Sequence, residues 1–523
     1  MTTTNIIIII TSILAALLEI IDTSIVNVAV PTMMGNLGVT LDEISWVSTA
    51  YMIANSIVLP IAAWFGSRLG RKRYFTGAIA VFTLASLACG LAPNLPLLVI
   101  FRLIQGFAGG ALLPTSQMLI QEQFPKEKAT LAMGIFGMSV MIGPALGPVL
   151  GGYLTDNFGW RSIFNVNVPL GIIAGILSYM YIGAPKHETD PSAAPSKAKG
   201  SVDWTGFALL SLGVGCFQYI LERGQTDGWF DSKSITVVAT LAFLGTAAFI
   251  WWELRVDNPI MNLRLFKSRV VSSGAALMLA FGIVVYALTF VVPVFVDNVV
   301  HMTATQTGLL FIPGSIATSF AMGMVDPLSK KLHPRALLTL GVGFSAISVL
   351  MMTHFTTATG GDDLFWPLII RGVGLALLFV PIVTVVNYPF QGEELEQVSG
   401  MMNFFRQIGG SIGIASLSTL LTRFGKQNYL DLMPKMSVLS QGGYQAYGHI
   451  ATGAAHANLS NNIGMGLPQT LGIKALWMRA MGQSFIMSFD QLCWVIILIT
   501  VAMLIPTFIM QMPRRMSANL NAH

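Results

Sequence analysis

Three charged residues stand out because they lie in stretches that are otherwise apolar. Glu19 and Asp22 are three positions apart in one such stretch, and Arg102 lies in another. A charge at membrane depth is costly and therefore marks a functional site. Residues three apart share one face of a helix, and two neighbouring carboxylates cannot both ionise easily. These residue types at this spacing are suited to binding and releasing a proton.

The depth of these charges in a bilayer relates the acidic pair to the arginine. If the first helix enters the membrane near Asn5, Asp22 lies about 25 Å from the inner edge. Arg102 is on a helix of opposite direction and lies about 22 Å from the same edge. We therefore predict an ion pair between the acidic residues and Arg102 that protonation would break. A static pair that only holds the two helices together is the alternative, and the sequence leaves both open.

Two further arginines, Arg371 and Arg406, lie in apolar stretches of the second half and lack an obvious acidic partner. Contact with a substrate and helix packing explain them equally well. The predicted substrate cavity combines these two arginines with polar side chains from both halves of the chain, namely Asn27, Tyr51, Asn55, Gln105 and Asn403.

The segment "GPALGPVLGG" places Gly143, Gly147 and Gly151 four residues apart on one helix face. This spacing of small residues lets two helix backbones touch in lipid, while Pro144 and Pro148 remove backbone donors and bend the helix. Tight packing accounts for the glycines by itself. The functional hypothesis is that the two halves of the protein rock or seal at this contact.

The loop "WFGSRLGRKRYF" contributes the other predicted gating residues, which are Arg68, Gly70 and Arg71. Membrane orientation alone would account for its four basic residues, so a gating role depends mainly on a family resemblance described below.

The composition decides which elements position these residues. Of 523 residues, 54% are hydrophobic and 10% are charged, against about 25% charged in an ordinary soluble domain. A soluble multidomain protein, a disordered chain and a nucleic-acid-binding protein are excluded. The prediction is an all-α integral membrane protein with fourteen spanning stretches: 5–31, 44–65, 74–92, 97–120, 130–153, 163–184, 204–222, 235–253, 271–293, 306–328, 336–355, 366–389, 399–423 and 485–510.

The distribution of basic residues predicts the orientation of these helices. With the N-terminus inside, eighteen of the 29 Lys and Arg residues fall in inner loops and three in the short outer loops. Both termini are therefore expected on the cytoplasmic side. The inner loop at 390–398 is the one that has no basic residue.

Weak internal repeats predict two homologous six-helix bundles. Arg102 and Arg371 open similar segments, and four such pairs recur at offsets of 263–269 residues. Two parallel repeats with a site between them are typical of transporters. The predicted domains are an N-terminal bundle at 1–184, a cytoplasmic linker at 185–203, two inserted helices at 204–263 and a C-terminal bundle at 264–523, which includes a periplasmic loop at 424–484.

The energy source follows from what the sequence lacks. The chain has no phosphate-binding G-x-x-x-x-G-K-[ST] motif, no H-E-x-x-H metal motif and no nucleophile–base constellation. We therefore expect a gradient-driven transporter rather than an enzyme, without a cofactor or metal site and with the proton as coupling ion. The long loop at 424–484 either is a flexible insert or folds over the outer mouth and meets a partner.

Taken together, the motifs resemble those of the major facilitator superfamily, and specifically its 14-helix drug/proton antiporters of the EmrB/QacA type, closest to the EmrB branch. The resemblance extends over nearly the whole chain. It rests on "LEIIDTSIVNVAVP" in the first helix, "RLIQGFAGG" in the fourth, "GPALGPVLGG" in the fifth and "WRSIFNVNVPLG", which opens the sixth and includes Asn167.

The resemblance implies alternating access, proton antiport and export of bulky hydrophobic compounds across a bacterial inner membrane. It implies Asp22 and Arg102 as the coupling pair, and a periplasmic adaptor protein with an outer-membrane channel as possible partners of the long loop. Export of a single metabolite, such as a siderophore, lipid or amino-acid derivative, is the alternative. The chain departs from the family pattern at Ser67, where an Asp is usual, and at Ala63, where a Gly is usual. An Asp-based latch to the second half is therefore not expected.

Overall fold

The computed structural model describes residues 3–125, 128–183, 203–257, 259–302, 304–436 and 468–511, and within these ranges the chain is helical, without a strand. Each predicted stretch overlaps one long helical segment of the described chain. We label these segments α1 (Thr3–Leu37), α2 (Trp46–Val58, continued by Leu59–Ile61 and Ala62–Leu69), α3 (Arg71–Leu91), α4 (Leu95–Glu122), α5 (Ala129–Phe158), α6 (Asn167–Tyr181, preceded by Ser162–Asn165), α7 (Trp204–Arg223), α8 (Lys233–Glu253), α9 (Arg269–Phe295, continued by Val296–Val300), α10 (Ala304–Ser329), α11 (Pro334–Met352), α12 (Phe365–Asn387), α13 (Gly392–Met436) and α14 (Pro468–Ala502, continued by Leu504–Ile509).

Eleven helical segments among the described residues are long and apolar enough to cross a membrane, which confirms an all-α integral membrane protein. The segments α2, α5 and α13 are not among the eleven. The apolar helices of α2 and α5 are too short to be counted as spans; they are Trp46–Ile61 and Ala129–Val140. The count of fourteen spans therefore stays a prediction.

The two halves of the chain repeat the same pattern of helix packing. In the first half α1 packs on α5, α3 on α4 and α6, and α2 on α4. Each helix of the first half corresponds to the helix of the second half whose label is higher by eight, so that α1 corresponds to α9. These helices pair in the same way: α9 with α13, α11 with α12 and α14, and α10 with α12. The halves meet through α5 with α10 and through α2 with α13, again a symmetric pair of contacts. This arrangement agrees with the repeats in the sequence.

The inserted helices α7 and α8 pack on each other through Gly213 and Gly245, where each helix backbone approaches the other closely. One of them, α7, also contacts both halves. Arg223 Nη1 donates a hydrogen bond to Ser45 Oγ at 2.8 Å, and Gln218 Nε2 donates one to Ser411 Oγ at 2.9 Å. The predicted linker at 185–203 lies outside the described residues except for Asp203, whose carboxylate accepts from the backbone N–H of Gly206 and caps α7.

The described parts of the predicted outer loop at 424–484 are helical, so the expectation of a loop is wrong for 424–436 and 468–484. They extend α13 and α14, which pack on each other. Ser484 Oγ donates to the Gly425 carbonyl at 2.7 Å, and Asn428 Nδ2 donates to Ser488 Oγ at 3.0 Å. At 45 residues, α13 is about 67 Å long, whereas a bilayer core is about 30 Å thick. Residues 437–467 lie outside the described residues.

Candidate functional site

Asp22 on α1 and Arg102 on α4 form an ion pair inside the N-terminal bundle. Arg102 Nη1 lies 2.5 Å from Asp22 Oδ2, and the side chains are 1% and 0% exposed. The two residues lie 80 positions apart and meet because α1 and α4 pack against each other. Water does not screen this buried ion pair. If either charge were removed, the remaining charge would be buried without a partner, which is costly.

Neutral amides complete the surroundings of Asp22. Gln105 Nε2 and Asn167 Nδ2 each donate to Asp22 Oδ1 at 2.9 Å, and both also donate to Ser86 Oγ. Gln105 lies one turn beyond Arg102 on α4, and Asn167 is the first residue of α6. Asp22 therefore accepts hydrogen bonds from three side chains, which hold it in one orientation.

Arg102 also connects this pair to α2. Its Nε donates to the Val47 carbonyl at 3.0 Å, and its guanidinium lies over the Tyr51 ring at 4.2 Å. Arg102 therefore contacts the helix α2, which also packs against α13 of the other half.

Glu19 occupies a second, separate site one turn earlier on α1. Its carboxylate accepts from Asn55 Nδ2 at 2.9 Å and from the Leu113 backbone N–H at 3.1 Å, and the residue is 5% exposed. The sequence suggested that the two acids would share a site, yet Glu19 and Asp22 have no hydrogen-bonding partner in common among the described residues. The two carboxylates are therefore held by different donors.

Helix α13 of the second half lies next to the Glu19 site. Gln407 Nε2 on α13 contacts Met52 Sδ, one turn before Asn55 on α2. Asn403 Nδ2 donates to Gln117 Oε1 at 2.7 Å, one turn after Leu113 on α4. Glu19 thus lies beside the contact between the halves, whereas Asp22 lies within one bundle.

The predicted cavity residues fall into groups that have different contacts. Tyr51, Asn55 and Gln105 are buried around the two acids, and Asn403 bridges the halves. Arg371 and Arg406 are buried in the second half and bond to α9. The side chain of Asn27 lies outside the described residues. Lining of a cavity by these residues stays a prediction.

The basic loop joins the halves at the predicted inner side through Arg71. Its Nη1 lies 2.8 Å from Glu122 of α4, and its Nη2 lies 3.7 Å from Glu396 of α13. Glu396 comes from the inner loop that has no basic residue. The halves are therefore linked here by an arginine and a glutamate from opposite halves, without the usual motif Asp at position 67.

The neighbouring gating residues have local roles. Gly70 has φ +80°, a value that favours glycine, and separates the short helix Ala62–Leu69 from α3. The guanidinium of Arg68 lies over the Trp64 ring at 5.1 Å.

The glycine stripe of α5 packs against α1 rather than between the halves. A Cβ at Gly143 would meet the Ile20 side chain, one at Gly147 would meet Ser24, and one at Gly151 would meet Ile25. The hypothesis that the halves touch at this stripe is therefore wrong, since α1 and α5 belong to the same bundle. The side chains of Pro144 and Pro148 lie outside the described residues.

The halves touch instead at two earlier glycines of α5. A Cβ at Gly134 would meet the Met322 backbone of α10, and one at Gly137 would meet the Met322 side chain. These two glycines come three residues apart and were not part of the predicted stripe.

Comparison with known proteins identifies the family of this chain. The family model of the Major Facilitator Superfamily matches residues 12–414. The chain belongs to the major facilitator superfamily. It is similar to the fatty acid resistance protein FarB of Neisseria gonorrhoeae, with 34% identity over 78% of this chain and 79% of the relative. It is also similar to the multidrug export protein EmrB of Escherichia coli (strain K12), with 31% identity over 92% of this chain and 90% of the relative.

Solved structures of transporters share the fold. The human organic anion transporter MFSD10 aligns with a TM-score of 0.57 at 12% identity, over 98% of this chain and all of its own. A bacterial homologue of the human lysosomal transporter Spinster, in an inward-facing and unoccupied conformation, aligns with a TM-score of 0.56 at 14% identity, over 98% of both chains. Family and fold together make this chain a multi-pass membrane transporter of the EmrB type rather than an enzyme.

In this superfamily transporter, replacement of Gly147 by Leu is expected to stop transport. The new side chain would overlap Ser24 and push α1, which holds both buried acids, away from α5. Gly77→Leu is the matched control, because a Cβ at Gly77 meets nothing within 4 Å. The measurement is substrate flux per molecule of folded protein in vesicles. Equal flux in both variants would mean that the α1–α5 contact is dispensable.

Replacement of Glu396 by Gln is expected to loosen the inner contact between the halves, because Arg71 loses one of its two carboxylates. The measurement is maleimide labelling of a cysteine introduced at Gln117, which faces Asn403 across the contact, in a background without the three native cysteines. Labelling should rise several-fold relative to the same cysteine with Glu396 intact, and Glu43→Gln, an exposed acid elsewhere, should leave it unchanged. Unchanged or lower labelling in the Glu396 variant would exclude this role of the pair.

Two members of the Asp22 network were outside the predicted site. Asn167 belongs to the motif that opens the sixth helix but was not predicted as a site residue, and Ser86 carried no signal, since serines are common in membrane helices. An intramembrane amide at a helix start is a usable signal, because a buried amide needs partners. The signal for Glu396 was its loop at 390–398, which contains glutamates but no basic residue, whereas the other inner loops are basic.

Proposed function

We propose that this transporter exports hydrophobic drugs or other toxic compounds across the bacterial inner membrane by alternating access, driven by proton antiport. The observation that carries the proposal is the fully buried Asp22–Arg102 pair, bonded on one side to α6 and on the other to α2. The names of two relatives, a multidrug export protein and a fatty acid resistance protein, support export of small toxic molecules.

Protonation of Asp22 is the proposed coupling step. The neutral carboxyl no longer attracts Arg102, whose guanidinium then keeps the Gln105 side chain, the Val47 carbonyl and the Tyr51 ring as partners. Because Val47 belongs to α2, the change reaches the contact between α2 and α13. Opening of the inner contacts, among them Arg71–Glu396 and Gln117–Asn403, then admits substrate from the inner side.

The test is a proton-flux assay with the purified full chain in liposomes. An imposed pH gradient should drive accumulation of a hydrophobic dye, and addition of the dye should in turn move protons. Dye movement that is insensitive to the gradient would contradict proton antiport, and absence of dye movement under any gradient would contradict drug export.

A dedicated exporter of one metabolite is the second candidate. The relative FarB, named for fatty acid resistance, favours a narrower lipid-like substrate. A panel of chemically unrelated compounds separates the two: several transported classes indicate a drug exporter, and one class indicates a dedicated exporter.

A periplasmic adaptor and an outer-membrane channel are proposed as partners. The extensions of α13 and α14 support this part of the proposal, because α13 has 45 residues and is about 67 Å long, whereas a bilayer core is about 30 Å thick. A hydrophobic compound released beside the membrane would re-enter it, whereas transfer to an adaptor avoids this loss.

A further inference from the structure

Arg371 on α12 and Arg406 on α13 converge on one face of α9. Arg371 Nη2 donates to the Val285 carbonyl at 3.1 Å and to Thr289 Oγ1 at 2.9 Å. Arg406 Nη1 donates to Tyr286 Oη at 3.3 Å. Because Tyr286 and Thr289 are three residues apart and share one helix face, the two arginine side chains meet the same short section of α9.

The positive charge of these arginines is poorly balanced within their own bundle. They are 7% and 6% exposed, and the Nε atom of each is buried without a hydrogen-bond partner. In the part of the chain that the structure describes, no carboxylate lies within 4 Å of either guanidinium. Arg406 also lies near the other half, because the next residue on α13, Gln407, contacts Met52 of α2.

Chemistry at this section of α9 favours an anion with an apolar body. Guanidinium groups bind carboxylates with two parallel hydrogen bonds, and a buried cation without a counter-ion is costly. Phe311 of α10 lies beside Arg371, with the guanidinium 5.9 Å from the ring centre. Phe311 and Tyr286 are both partly exposed, so their rings are available to contact an apolar group.

We propose that Arg371 and Arg406 bind the carboxylate of an amphipathic organic anion while Phe311 and Tyr286 contact its apolar part. The inference rests on the proposed export function and names the substrate class that the second half recognises.

The test is equilibrium binding of oleate to the full chain in lipid nanodiscs, compared with oleyl alcohol, which has the same chain without the charge. Arg371→Met and Arg406→Met should each weaken oleate binding by about tenfold or more and leave binding of the alcohol unchanged. Arg371→Lys should lie between wild type and the Met variant, because it keeps the charge without the planar fork. Arg255→Met, which removes an exposed cation near the end of α8, should bind oleate as wild type does.

Several results would overturn the inference. Equal affinity of the wild-type chain for oleate and oleyl alcohol would mean that no carboxylate is recognised. Loss of both ligands in the Met variants would assign the arginines to helix packing. This inference is separable from the proposed function. Failed proton flux together with arginine-dependent oleate binding would contradict antiport alone, whereas normal proton flux without selective oleate binding would contradict this inference alone.

Discussion

Vesicles that contain the Asp22→Asn variant are expected to show no proton movement when a hydrophobic dye is added, down to the level of vesicles without the protein. Asn is nearly the same size as Asp and keeps an oxygen acceptor for Gln105 and Asn167, so the fold should survive. It cannot take up or release a proton. It also leaves Arg102 as a buried cation without a counter-ion, at a cost of about 3–5 kcal/mol for a broken buried pair.

The measurement is the fluorescence of a pH dye inside vesicles, normalised to the amount of folded transporter. Asp156→Asn is the matched control, because it makes the same chemical change at an exposed position near the end of α5. Normal proton movement in the Asp22 variant would show that the coupling site lies elsewhere. A restored signal in Asp22→Glu would support the carboxyl group itself as the requirement.

Glu19→Gln provides an internal comparison, since Glu19 has its own donors in Asn55 and Leu113. A milder effect is expected, with altered handling of charged substrates and some proton movement retained. Equal loss from both substitutions would instead indicate that the two acids act as one proton site despite their separate partners.

Replacement of residues 437–467 by a short Gly/Ser linker is expected to reduce whole-cell drug resistance to the level of a strain without the transporter. The described extensions of α13 and α14 stay in place in this variant, including the contact between Asn428 and Ser488. Proton-coupled uptake into inverted vesicles should remain near the wild-type rate, because the buried acids and the contacts between the halves are untouched.

The pair of assays distinguishes docking from transport. Loss of vesicle uptake as well would assign 437–467 to the transport cycle. Unchanged resistance would mean that the segment is a passive insert and that the proposed partner does not bind there. A linker of the same length as the deleted segment is the control for shortening alone.

The sequence by itself determined the elements and the most informative charges. Apolar runs of about 20 residues must form helices in lipid, because every backbone polar group has to be satisfied within the segment. Helix depth can then be counted along the chain, and this count alone places Asp22 and Arg102 at one level. The sequence also indicated the two halves, because the repeated segments recur at a nearly constant offset.

Only the tertiary structure decided which faces meet. Helix depth gives no information about rotation around the helix axis, so the sequence could not tell that the stripe of Gly143, Gly147 and Gly151 faces α1. It also could not show that Gly134 and Gly137 approach Met322 of the other half. Small residues permit close packing of any neighbouring helix, and the choice of neighbour depends on the arrangement of the whole bundle.

Contacts between residues that are distant in sequence could also be identified only from the tertiary structure. Asn167 and Ser86 reach Asp22, and Glu396 reaches Arg71, across separations that no local pattern records. The extensions of α13 and α14 were missed because their composition is polar, and a polar helix is stabilised by the helix it packs against rather than by burial in lipid. Spacing along one chain thus fixes length, depth and charge, whereas contacts between helices fix the partner of each charge.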